Sequence, residues 1–144
     1  MGNMPMDGMH SIPPPVQLPA PVHMPGIGNS HIAVKATPEA QAWFDQGLTL
    51  LHEFWDYESA KAFEQALRVD PLCALCDWGL AKAEGFRSGG RSFSGEQALA
   101  QAVLLKKHAS STAKLYIEAA NDVKAAKQDD KSAQIAILRQ LLRR

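Results

Sequence analysis

The residues best equipped for chemistry are Cys73 and Cys76, separated by two residues in the CxxC manner. They fall at the start of a predicted helix, where the dipole lowers a thiol's pKa and favours redox or nucleophilic work. No strand–helix–strand pattern surrounds them, and no histidine follows Cys76, as haem attachment would require. A zinc site would need two more ligands. The plainer reading makes Cys76 a small core residue with Cys73 beside it.

A second set is soft-ligand-rich. Met4, Met6, Met9, His10, His23, Met24 and His31 crowd the N-terminal segment, and thioether with imidazole suits copper, above all Cu(I). Met4, Met6, Met9 and His10 are the candidate ligands of an exported copper-binding protein; the alternative is a tail with incidental methionines and no cofactor. Trp55 and Tyr57 are candidate contacts for a partner, whereas Trp43 is expected to pack. His52 and His108 lie on separate predicted helices with no evident acid or nucleophile partner for catalysis, and both are expected to face solvent or pack. No Ser-His-Asp set, phosphate loop or demanding carboxylate pair is present, so an enzyme is not expected.

The elements that must position these groups divide in two. Residues 1–34 hold all five methionines, seven of nine prolines and a single charge, Asp7. Pro13, Pro14, Pro15, Pro19, Pro21 and Pro25 forbid a helix and predict an extended, polyproline-like arm. From residue 35 the pattern is helical. Thr37-Pro38 is a cap followed by a first-turn proline, and Trp43, Gly47, Leu50, Leu51 and Phe54 recur at helical spacing. A break near Asp56 opens a second helix with Ala60, Phe63 and Leu67. Asp70-Pro71 predicts the start of a third, with Leu72, Leu75, Cys76, Gly79 and Ala83. Gly85 to Ser94 reads as a loop, and Ser94 with Gln97 has capping-box spacing for a fourth helix. A fifth is predicted after Ser110-Ser111. Gln128-Asp129-Asp130 is expected to end it, leaving a sixth with Ile137, Leu138, Leu141 and Leu142. The fold class predicted is all-α, with about three helix pairs.

The 144 residues carry no net charge, which gives no footprint for nucleic acid. No apolar run approaches the roughly 20 residues of a membrane span. The N-terminus lacks a basic region followed by an apolar stretch; the expected compartment is cytoplasmic, or periplasmic or extracellular if a signal has been removed. Charge is nonetheless uneven. Residues 36–71 hold seven acids and two bases, and residues 106–144 hold nine bases and four acids.

Each helix pair spans about 34 residues, the period of tetratricopeptide repeats. Trp43, Gly47, Phe63 and Pro71 stand in that repeat's register, with Ala66 at its small position; Gln46, Leu50 and Ser59 depart from it. Leu80-Ala81 fits a second copy. The stretches Pro38–Gln41, Asp45–Leu48, His52–Trp55, Asp70–Ala74 and Trp78-Gly79, the lead-in Gly26–His31 and Tyr116–Ala119 together resemble a group of bacterial tetratricopeptide proteins. Cys76 and Asp77 depart from that group. The resemblance implies a short α-solenoid and membership of a group whose proteins are often exported and longer.

The function expected is therefore protein–protein interaction or assembly. In one form the groove of the stack takes a peptide or partner protein, with Trp55 and Tyr57 as contacts. In the other the chain binds copies of itself head to tail, even into a fibre. There the basic Lys124, Lys131 and Arg139 meet the acidic first repeat, and the proline arm grips a neighbour.

Overall fold

The computed structural model describes residues 18–87 and 93–142. They form five α-helices and, among the described residues, no strand. The helices are α1 (Pro38–His52), α2 (Asp56–Val69), α3 (Ala74–Arg87), α4 (Phe93–Leu105) and α5 (Ser111–Leu142), with one 3-10 turn at Lys106–His108 before α5. Each helix packs on its neighbours in the chain, and α3 also touches α1 and α5.

The start of α1 follows from its sequence. Thr37 is extended, its hydroxyl accepts from the Ala40 amide at 3.2 Å, and Pro38 occupies the first turn, where a missing N–H costs nothing. Asp70-Pro71 acts differently from expectation. Asp70 holds a turn, accepting from Leu72 N and Cys73 N, and α3 begins only at Ala74. Cys73 takes the capping position, its sulfur accepting from Cys76 N at 3.2 Å. Leu72 is consequently exposed rather than on the core face. The capping box predicted at Ser94 is also corrected, because α4 is already helical at Phe93.

The largest correction concerns the C-terminal region. The expected fifth and sixth helices are one helix of 32 residues. Gln128-Asp129-Asp130 lowers helix propensity slightly, but no Gly or Pro lies between Ser111 and Leu142, and alanine recurs throughout. Mildly unfavourable residues do not stop a helix that keeps every backbone donor. Only Ala113 and Ile117 of α5 are buried, and everything from Ala125 to Leu142 is exposed.

The core centres on Phe63, fully buried between two glycines. A Cβ on Gly47 would lie 2.9 Å from the ring, and one on Gly79 only 2.3 Å from it. The absence of side chains there lets α1 and α3 close on the ring from both sides. Phe44 meets Phe63 edge-on at 5.5 Å, and Ser59 donates to the Gly47 carbonyl at 2.7 Å. The small residues Ala60, Ala62, Ala66, Ala83, Ala98 and Ala102 fill the remaining contacts.

Candidate protein-interaction site

Gln41, Asp45, Thr49 and His52 follow one another at three- and four-residue steps, which places them on one stripe of α1. Gln46 sits beside them. Against this stripe lies the described part of the arm. It runs over α2 and α1, turns at residues 25–27, and returns along α1 to its start. Gly26 and Gly28 have φ of +80° and +119°, values that glycine adopts without strain.

The arm is held chiefly by its main chain. Gln46 Nε2 donates to Val22 O at 2.9 Å and its Oε1 accepts from Met24 N at 3.0 Å. Gln41 repeats the device: Nε2 donates to Ile32 O at 3.0 Å and Oε1 accepts from Val34 N at 2.8 Å. Thr49 Oγ1 accepts from Ser30 N at 3.1 Å. At the far end the buried Glu64 accepts from Leu18 N at 2.7 Å, while Arg68 donates to Leu18 O and pairs with Glu64. Burial, opposed by the Leu18 amide and Arg68, raises the Glu64 carboxyl above the ordinary glutamate range.

Side chains of the arm add register. Leu18 is buried in the core. His23 stacks flat on Trp43, ring centroids 3.8 Å apart. His31 Nδ1 lies 2.8 Å from Asp45, and Ser30 Oγ lies 2.9 Å from His52 Nδ1. Of the predicted arm prolines, Pro19, Pro21 and Pro25 lie in the described segment. Pro13, Pro14 and Pro15 lie outside the described residues, as do the copper candidates Met4, Met6, Met9 and His10. Among the described residues no three His, Cys, Asp or Glu side chains gather as metal ligands.

The predicted partner contacts separate into two places. Phe54 and Trp55 form an exposed turn between α1 and α2, with Tyr57 exposed in the first turn of α2. Tyr57 lies 5.4 Å from Lys61 and 5.5 Å from Arg87. Lys124 and Lys131 border a cleft of about 480 Å³ between α3, α4 and α5. Arg139 stands apart on the exposed length of α5.

Cys73 and Cys76 are disulfide-bonded and buried. The residue after them, Asp77, is also buried, and its Oδ2 has no hydrogen-bond partner. Burial pushes its carboxyl up to about 8, so at neutral pH it is mostly protonated.

The residues that hold the arm, Gln41, Gln46, Thr49, Glu64 and Arg68, are not those that sequence reasoning nominated. One signal was available. Gln46 departs from the leucine of the tetratricopeptide pattern that the sequence resembles, and a polar residue in place of an apolar one is a sign of a specific hydrogen-bonding task. Comparison with protein-family models, curated proteins and solved structures finds no match for this chain. The class defined by the fold is that of an all-helical protein in which, among the described residues, no helix is long and apolar enough to cross a membrane.

Proposed function

We propose that this chain is a protein-interaction and assembly module of the tetratricopeptide kind, whose α1 face captures an extended polypeptide segment by its main chain. The observation that carries the reading is the pair Gln41 and Gln46. Each side-chain amide donates to one backbone carbonyl and accepts from an amide two residues on. Two primary amides thus do for the arm what the edge of a sheet does for an added strand. Affinity comes from the main chain, and selectivity from the few side chains that must fit, such as the ring on Trp43 and the residue at Leu18.

In the chain itself the occupant is tethered, which gives it a high effective concentration. A segment from another protein must displace it. The arm of a second copy carries the same groups in the same order, so exchange between copies needs no new chemistry. This favours assembly of like chains as the use of the site.

The test uses a chain shortened to residues 36–144 and a labelled peptide of residues 18–35. Fluorescence anisotropy should report saturable binding. Gln46→Ala, which removes two hydrogen bonds worth about 1 kcal/mol each, should weaken it by roughly tenfold or more. A folded shortened chain that ignores the peptide would refute the reading. So would a shortened chain that cannot fold, because an arm on which folding depends is not an exchangeable ligand.

A further inference from the structure

The turn after α1 holds a bulky residue in a conformation that glycine normally takes. Phe54 has φ of +62° and is 82% exposed. This backbone state is costly for a large side chain, and where it persists it often marks a working surface. The turn is nevertheless well fixed: Phe54 N donates to Leu51 O at 3.2 Å and Trp55 N to Leu50 O at 2.9 Å. The result is a rigid knob with Phe54 and Trp55 in water. Glu53 and Asp56 flank it with no base between them, while Glu58 pairs with Lys61 at 3.4 Å.

The cleft between α3, α4 and α5 is its complement. Trp78, Phe86 and Val123 supply apolar lining, and Lys82, Lys124, Lys127 and Lys131 supply four positive charges against one acid, Glu96. Its volume of about 480 Å³ lies in the range of sites that enclose compact ligands. The chain's own knob does not enter it, since none of residues 53–58 contributes to the lining and Phe54 and Trp55 stay exposed.

We infer that the Phe54-Trp55 turn of one copy seats in the lysine-rimmed cleft of a second copy. The aromatic rings meet apolar lining while Glu53 and Asp56 face the lysines. Knob and cleft are different surfaces of one chain, so each copy offers both, and the contact repeats head to tail until it closes or extends. Aromatic anchors surrounded by charge are the usual composition of an interface centre. The inference rests on the assembly form of the function proposed above, but it uses none of the residues that hold the arm.

Light scattering with size-exclusion chromatography on the full chain tests it. Multimers are expected at low salt and should shrink as salt screens the lysines. Phe54→Gly relieves the backbone strain, so it should fold at least as well, yet with Trp55→Ala it should weaken association on the order of thirtyfold. Lys124→Glu with Lys127→Glu should weaken it at least tenfold. Each double variant alone should be monomeric, and an equimolar mixture should give one-to-one pairs, because one retains the cleft and the other the knob. A full chain that is monomeric at every salt concentration overturns the inference, as does association that neither variant weakens. Peptide binding at the α1 face should be unchanged in both variants, which separates a failure here from a failure of the arm reading.

Discussion

Asp77→Asn should make the chain markedly more stable at pH 8 and above while changing little at pH 4. Asp77 is buried with an unpartnered carboxylate oxygen, and its carboxyl is raised from an ordinary 3.8 to about 8. The folded state therefore binds a proton that the unfolded state has already lost between those two values. Its stabilising contribution is complete below about pH 3.8, declines as pH rises, and is gone above about pH 8. The slope for one proton is about 1.4 kcal/mol per pH unit, so the cumulative loss is on the order of 5 kcal/mol. Asparagine keeps the shape and cannot ionise, which removes this slope. Urea unfolding from pH 4 to pH 9 measures it. Parallel curves for the two proteins would show that Asp77 finds compensation when charged.

Phe63→Ala should cost about 3–5 kcal/mol, the usual penalty for emptying a buried aromatic site. The more diagnostic change is Gly79→Ala. In an exposed helix alanine would gain up to about 1 kcal/mol over glycine. Here the new methyl would lie 2.3 Å from the Phe63 ring, and overpacking of this kind costs about 1–3 kcal/mol or more. The two effects are coupled through one space. Gly79→Ala should be destabilising beside Phe63 and close to neutral beside Phe63→Leu. A double-mutant cycle read from urea midpoints measures this coupling, and simple additivity would contradict the packing described.

What the sequence displays depends on how local the cause is. Thr37-Pro38 announces α1 because a cap and a first-turn proline act within one turn of helix. Gly47 as a small neighbour of Phe63 is also legible, since a large ring needs a small residue where two helices cross, whereas the approach of Gly79 from the other side shows only in the fold. Cys73 as the cap of α3 was hidden behind the stronger cap-and-proline signal of Asp70-Pro71, which makes a turn instead. The continuity of α5 was hidden because Asp129 and Asp130 resemble a break, although neither removes a backbone donor.

The arm contacts were the least legible. Gln41 and Gln46 bind main-chain groups up to 24 residues away, and a backbone amide has no identity that a sequence pattern could pair with a glutamine. Only the departure of Gln46 from the resembled pattern pointed there. Trp55, Tyr57, Lys124 and Lys131 stand out in the sequence by residue type, and the fold sorts them into a knob and a cleft that neither composition nor spacing distinguishes. The exposed Ile135, Ile137, Leu138, Leu141 and Leu142 of α5 likewise have no covering element among the described residues.

Capture of the arm by its main chain is tested most directly by hydrogen exchange of the full chain. The amides of Leu18, Met24, Ser30 and Val34 donate to Glu64, Gln46, Thr49 and Gln41 respectively. They should exchange slowly, and Gln46→Ala should release Met24 while Val34 stays protected. Fast, uniform exchange across residues 18–35, unaltered by the substitution, would contradict the account.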